Sequence, residues 1–186
     1  MSLLKRRFFA RPVLEVAPEL IGKYLVHQVG DETLSARIVE VEAYAGPEDQ
    51  ASHARFGPTP RAKIMFGPAG MAYVYLIYGM YDCFNIVTGT DGEASAVLVR
   101  GVAVASRSTG SGSSPLPGKT NGPGKLCRVL GITRKHNGLD LTTGVPLGIH
   151  DRKEPPPSLT ATPRIGVDYA GEWASRPWRW VEAGPR

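Results

Sequence analysis

The segment ARIVEVEAY places two acidic residues, Glu40 and Glu42, two positions apart and follows them with Tyr44. Polar and apolar residues alternate along it, which predicts a strand over residues 35–44 whose three polar side chains share one face. A carboxylate held in such a place can take a proton from water, and a neighbouring aromatic ring can stack on a planar substrate. The pattern therefore indicates a hydrolytic site. The spacing does not distinguish Glu40 from Glu42, and a solvent-exposed strand face would give the same pattern.

The segment MAYVYLIYGMY is unusually rich in tyrosine. Its aromatic and β-branched residues predict strands at 71–78 and 82–88, with Gly79 in the tight turn between them. A bulky side chain on such a turn can wedge into a stack of bases, although a tyrosine-rich packing strand is the alternative. The candidate DNA-contacting residues on this turn are Tyr78, Met80 and Tyr81.

Arg100 interrupts an apolar strand predicted from Ser95 to Val104. An arginine in such a run requires a partner if it is buried, and a carboxylate would supply one. The alternative is that Arg100 marks the point where the strand meets solvent. The lysines lie mostly in polar or loop segments, which favours water over an amine as the nucleophile.

The formal net charge of +5 suits a polyanionic partner such as duplex DNA. Cys83 and Cys127 are isolated, and the four histidines lack the spacing of metal ligands, so we expect no metal, no cofactor and a reducing compartment. No apolar run is long enough for a membrane span or a signal peptide. These features predict a cytoplasmic protein, associated with the nucleoid if bacterial, with no membrane partner.

Strands cluster along the chain without regular alternation with helices, which predicts a single α+β domain over residues 1–186. Its expected architecture is a mainly antiparallel, curved β-sheet with surrounding helices. The other predicted elements are a helix within 12–26, a polar loop at 46–60, a flexible Ser/Gly/Pro-rich surface loop at 106–121, a helix at about 123–130 and a strand around 164–167.

The motifs EAYAGPEDQASH and YVYLIYGMYDCFN resemble the alkyladenine (3-methyladenine, or methylpurine) DNA glycosylase family. The resemblance extends over about residues 8–180, with the matching segments in family order. It implies a monofunctional enzyme, active as a monomer, that flips damaged purines out of duplex DNA. The implied substrates are of the 3-methyladenine, 7-methylguanine, hypoxanthine and ethenoadenine type, and hydrolysis of the glycosidic bond would leave an abasic site.

The resemblance also implies which residues would activate and hold the attacking water. Glu42, rather than Glu40, matches the general base. Arg100 matches the arginine that helps to hold the water, and the backbone carbonyl of Ile165 would be the third ligand of the water.

Recognition of the flipped base is implied for a second set of residues. Tyr44 and His53 match the pair that stacks on the base, and Tyr75 closes the pocket from the other side. Asn85 matches the residue that opposes the exocyclic amine of normal guanine, and Tyr78 matches the side chain that fills the gap in the duplex.

Two other classes remain open at this stage. A non-catalytic module that binds damaged nucleic acid could use the same basic, aromatic surface, but it would gain nothing from Glu42 beside a polyanion. A hydrolase of free nucleosides would need neither the Tyr78 wedge nor the positive charge.

Overall fold

Ten antiparallel strands form one curled sheet in the computed structural model of the chain, which describes residues 1–117 and 120–183. The strands are β1 (Ser2–Leu3), β2 (Tyr24–Val29), β3 (Glu32–Ala45), β4 (Ala72–Ile77), β5 (Tyr81–Thr88), β6 (Ser95–Thr109), β7 (Gly112–Pro115), β8 (Leu147–Asp151), β9 (Leu159–Thr162) and β10 (Arg179–Glu182). The main order across the sheet is β1-β8-β2-β3-β6-β5-β4, while β7 pairs with β6, and β10 pairs with both β3 and β9. The predicted α+β class with a curved antiparallel sheet is confirmed.

Short helices flank this sheet. They are the α-helices α1 (Arg6–Phe9), α2 (Val13–Leu20) and α3 (Pro123–Val129), and the 3-10 helices His53–Phe56, Lys63–Phe66, Arg134–His136 and Asp168–Ser175, the last of which is kinked at Gly171. The helix predicted within 12–26 ends at Leu20, so the prediction is wrong for residues 21–26. Ile21 is extended and Gly22 has a φ of +88°, which helix geometry excludes, and the chain then enters β2. The helix predicted at about 123–130 is confirmed as α3.

The two faces of the sheet pack differently. Alternate side chains such as Val41, Val97 and Val99 enter the main hydrophobic core, together with Val16 and Leu20 of α2. Burying a side chain of this size stabilises the fold by roughly 1.5–3 kcal/mol. The opposite face carries a smaller cluster in which the main buried members are Ala54, Ala62, Met65, Tyr73, Val87, Ala94 and Ala96. This second cluster leaves room for a pocket on the same face.

Strand register aligns four residues across this pocket face. Tyr73 of β4 lies opposite Asn85 of β5. Leu98 of β6 lies opposite Asn85 on one side and opposite Glu42 of β3 on the other. Because directly paired residues point to the same side of a sheet, the side chain of Glu42 faces the same way as that of Tyr73 in β4.

A register irregularity lies beside this row. Ile38 pairs with Val102, Glu40 with Gly101 and Val41 with Val99, so Arg100 has no residue directly opposite it in β3. Such bulges redirect side chains, and this one brings Arg100 towards β3.

The flexible loop predicted at 106–121 is wrong for its first ten residues. Strand β6 continues to Thr109, and β7 pairs back on it from Ser106↔Pro115 to Thr109↔Gly112. Backbone pairing of the long β6 outweighs the turn-forming composition, and Ser108 Oγ also donates to Ser113 Oγ at 3.1 Å. Positions 118 and 119 lie outside the described residues.

The strand predicted around Arg164–Val167 is also wrong. The two strands of this region are β9 and β10, which lie on either side of it. Gly166 has a φ of +75°, so the backbone of this segment cannot be extended as in a strand. The Arg164 side chain is buried in an ion pair with Asp49.

Candidate active site

Glu42 is completely buried and lies among four polar contacts. Its Oε1 accepts the backbone N–H of Ile165 at 2.8 Å, and its Oε2 accepts the Tyr44 hydroxyl at 2.9 Å. Arg100 approaches both oxygens at 3.4 Å, through Nε to Oε1 and Nη1 to Oε2. The sequence assigned the carbonyl of Ile165 to the water, whereas the structure brings its amide to Glu42. The role of the carbonyl stays a prediction.

Burial raises the pKa of Glu42 above the ordinary value for a glutamate. The positive charge of Arg100 opposes this shift most strongly, followed by the amide of Ile165 and the hydroxyl of Tyr44. Desolvation outweighs these contacts because the carboxylate is removed from bulk water. Glu42 is therefore more basic than an exposed glutamate, as a group that must accept a proton requires.

Glu40 has different surroundings. Its Oε1 accepts Arg179 Nη1 of β10 at 2.8 Å and lies 3.4 Å from Arg100 Nε. It therefore shares Arg100 with Glu42 but is also held by β10. Of the two carboxylates, Glu42 is the one bonded directly to Tyr44 and Ile165, which both line the pocket described next.

A pocket of about 150 Å³ opens over this cluster. Of the seven residues predicted around the base and the water, Glu42 lies behind the pocket wall, and the other six line the pocket: Tyr44, His53, Tyr75, Asn85, Arg100 and Ile165. The sequence interpretation missed other lining residues, namely Arg61, Met65, Tyr73, Cys83 and Tyr169. Tyr73 could have been found, because it shares strand parity with Tyr75. Arg61 and Tyr169 lie in segments where spacing carries no such signal.

His53 forms one wall of the pocket from the 3-10 helix His53–Phe56, which begins where Ser52 Oγ accepts the N–H of Ala54. Its Nδ1 lies 2.8 Å from the Tyr73 hydroxyl, and its ring lies edge to face with Tyr75 at 4.7 Å between centroids. Burial, and then the charges of two nearby arginines, lowers the pKa of His53. The ring is therefore neutral at neutral pH, so it does not repel a cationic substrate.

Asn85 is fixed at the back of the pocket. Its Nδ2 donates to the backbone carbonyls of Tyr73 at 3.1 Å and Cys83 at 3.3 Å. The side chain is buried, and these two bonds hold it in one orientation. A fixed side chain can exclude a substituent that a mobile one would accommodate.

The three predicted DNA-contacting residues lie outside the pocket, at the tip of the β4–β5 hairpin. Tyr78 and Gly79 both have positive φ, 53° and 68°, and Met80 N–H donates to Ile77 O at 3.2 Å. The turn comprises Tyr78, Gly79 and Met80, between the paired residues Ile77 and Tyr81. Tyr78 is 81% exposed and Met80 66%. The turn adjoins the pocket through Ile77, which lines it.

Tyr81 differs from its two neighbours because it packs against α3. A Cβ on Gly124 would lie 2.8 Å from the Tyr81 side chain, so only glycine permits this approach. Tyr81 is only 37% exposed, and its position is fixed by this contact.

Neither a metal centre nor a membrane-spanning helix is found in the part of the chain that the structure describes. Histidine, cysteine and carboxylate side chains within residues 1–117 and 120–183 form no group of three that could hold a metal ion. No helix in these ranges is both long and apolar enough to cross a bilayer.

Comparison with known proteins places this chain among the DNA repair glycosylases. A family sequence model described as "Methylpurine-DNA glycosylase (MPG)" matches residues 7–186. The chain therefore belongs to the methylpurine-DNA glycosylase family, as the resemblance in its motifs predicted.

Its relatives include proteins named "Putative 3-methyladenine DNA glycosylase". One from Anaeromyxobacter sp. is 53% identical over 97% of this chain and 89% of its own length. One from Myxococcus xanthus is 50% identical over 97% and 91%, and one from Methanocella arvoryzae is 48% identical over 98% and 93%.

Proposed function

We propose that this protein excises alkylated and deaminated purines from duplex DNA by hydrolysis, with Glu42 as the general base. The observation that carries the proposal is a buried carboxylate, with its pKa raised by desolvation, directly behind an aromatic pocket. Its hydroxyl and amide partners, Tyr44 and Ile165, themselves line that pocket. The family of the chain and the names of its relatives support the alkylated purines among these substrates.

In the proposed reaction a water molecule attacks C1′ of the damaged nucleotide while the bond from C1′ to the purine nitrogen breaks. Glu42 accepts the proton of the water, and the electron pair of the broken bond leaves with the base. The contacts of Arg100 with Glu42, at 3.4 Å, are longer than those of Ile165 and Tyr44. The attacking water would lie on the pocket side of this pair, beside Arg100, which lines the pocket.

The purine would lie between aromatic rings. Tyr44 would supply one stacking surface. His53 and Tyr75, whose ring centroids are 4.7 Å apart, are too close together to hold a base between them and would supply the opposite surface together. Each stacked base contributes roughly 1–3 kcal/mol, which offsets the unstacking of the duplex. Alkylated purines that carry a positive charge gain further from the tyrosine faces, and a neutral His53 does not oppose them.

The hairpin tip would fill the space that the flipped nucleotide leaves. Tyr78 and Met80 are large, apolar and exposed at the end of a rigid turn, which suits insertion into a base stack. Tyr81, held against Gly124, would contact the duplex beside them.

The test is release of free base from duplex oligonucleotides that contain 7-methylguanine or hypoxanthine. We expect an intact strand with an abasic site, and an E42Q variant that is slower by about 10²- to 10⁴-fold while it still binds the lesion. The matched control is E48Q, which removes an exposed carboxylate from the adjacent loop. Full activity in E42Q would contradict the proposal.

Two other outcomes would identify a different function. Tight binding of the lesion by the wild type without release of any base would indicate a damage-binding module. Covalent trapping of the protein on DNA by borohydride would indicate a lysine nucleophile in place of water.

A further inference from the structure

An ion pair of Arg164 and Asp49 is completely buried behind the stacking residue Tyr44. Arg164 Nη1 donates to Asp49 Oδ2 at 2.6 Å, and Nη2 donates to Oδ1 at 2.9 Å, so the contact is bidentate. The backbone N–H groups of Ala45 and Ala51 donate to the same carboxylate, each at 3.0 Å. All four contacts come from donors, as an acceptor-only carboxylate paired with a guanidinium requires.

The guanidinium of Arg164 also lies over the Tyr44 ring. Its Cζ is 4.8 Å from the ring centroid and 5.1 Å from that of Trp178. Nη1 further donates to the carbonyl of Ala43 at 2.8 Å, and Nη2 to that of Trp173 at 3.1 Å. One face of Tyr44 is thus covered by Arg164, which leaves the other for a stacked base.

A cation on one face of an aromatic ring weakens the attraction of the ring for a second cation on the other face. A base stacked on Tyr44 would lie about 8 Å from the guanidinium, since stacked surfaces are about 3.5 Å apart. The negative charge of Asp49 offsets the repulsion that Arg164 would otherwise exert on a cationic base at this distance. At the hydroxyl end of the ring, the charge of Glu42 is likewise paired with Arg100.

We propose that Asp49 is a specificity-determining residue: it neutralises Arg164 behind Tyr44 and so permits the pocket to accept cationic, alkylated purines. This inference rests on the proposed glycosylase function. Asp49 touches neither the base nor the water, and it acts through the charge that Arg164 presents to the ring. Without Asp49, the pocket would discriminate against charged lesions more than against neutral ones.

The experiment compares single-turnover excision of a cationic lesion, 7-methylguanine, with that of a neutral one, hypoxanthine, in the same duplex sequence. D49N leaves one uncompensated positive charge, and we expect the ratio of the two rate constants, cationic over neutral, to fall about tenfold. D151N is the matched control, because it also removes one negative charge from an ion pair. Asp151 pairs with Lys23 and lies on β8, towards the β1 edge of the sheet. The ratio for D151N should equal that of the wild type.

A second variant, R164Q, tests the same inference if D49N does not fold. R164Q removes the guanidinium and leaves the carboxylate, so its ratio should rise or stay at the wild-type value. The double variant D49N/R164Q carries neither charge and should return the ratio to the wild-type value. Thermal melts and affinity for a duplex with an abasic-site analogue report folding and DNA binding for each variant.

An equal slowing of both lesions in D49N would overturn the inference and leave the pair a purely structural role. A fall of the ratio in R164Q would overturn it as well. Failure of the proposed function is a separate result, because wild-type protein would then release neither base or E42Q would be as active as the wild type. If wild-type excision and the E42Q loss are both observed but the ratio does not move, only the role of Asp49 is wrong.

Discussion

Protonation of Glu42 links its burial to the rate of the proposed reaction. Because the pKa of Glu42 is raised, it takes up a proton at a higher pH than an exposed glutamate does. A general base must be deprotonated, so excision of 7-methylguanine should be constant above this pKa and fall about tenfold per pH unit below it. Single-turnover rates between pH 4.5 and 8 would measure the midpoint. A midpoint at or below the pKa of an exposed glutamate would contradict this prediction.

Protein stability reports the same pKa independently. The folded state of the wild type binds the Glu42 proton more tightly than the unfolded state does. The stabilisation that this proton provides is complete below the unfolded pKa and is lost as the pH rises through the folded pKa. E42Q cannot ionise at this position, so its free energy of unfolding should increase relative to that of the wild type over this pH range. Urea denaturation of both proteins would show whether it does.

Single residues differ in how much of their role the sequence revealed. Glu42 and Tyr44 were apparent as candidates because strand periodicity puts them on one face. The choice of Glu42 over Glu40 needed the resemblance, since both share that periodicity and both contact Arg100. Arg164 and Asp49 were missed because 115 residues separate them, and no local pattern links positions so far apart.

The β4–β5 hairpin holds Tyr78 in a conformation that tyrosine rarely adopts. A positive φ is adopted mainly by Gly, Asn and Asp, and Tyr78 has a φ of 53°. We expect Y78N to raise the free energy of unfolding by about 1 kcal/mol. It should also weaken binding to an abasic-analogue duplex by about 5- to 150-fold, since the stacking ring is lost. Urea denaturation and fluorescence titration would measure the two effects.

Y78F is the control for this prediction. It retains both the aromatic ring and the strained conformation, so its stability and its binding should stay close to those of the wild type. Loss of stability in Y78N would show that the backbone at Tyr78 is not strained. Unchanged binding in Y78N would show that the tyrosine ring does not insert into the duplex.

Strands and helices were predicted well where one sequence pattern dominated, and poorly where strand pairing in the folded protein determined the structure. The tyrosine strands, their turn at Gly79 and helix α3 followed from composition and periodicity. The hairpin of β6 and β7 did not, because its Ser- and Gly-rich sequence is typical of loops. Its strand pairing comes from the continuation of β6.

The positive charge of the whole molecule should act through the surface near the hairpin tip. Lys125 is exposed beside Gly124, the residue against which Tyr81 packs. Lys153 is exposed just after β8, at the other side of the sheet. If Lys125 contacts a phosphate, K125Q should reduce the slope of log affinity against log salt concentration by about 0.9, whereas K153Q should leave the slope unchanged. Equal slopes for the two variants would place the duplex elsewhere on the protein.

The alignment of Tyr73, Asn85, Leu98 and Glu42 across four strands limits how this protein can change length over evolution. Gain or loss of one codon within β3, β5 or β6 would turn every later side chain of that strand to the opposite face. Asn85 or Glu42 would then enter the main core, and an apolar neighbour would take its place on the pocket face. Tolerated insertions should therefore occur outside these paired segments, as in the exposed β6–β7 hairpin end, where added residues shift nothing in the site.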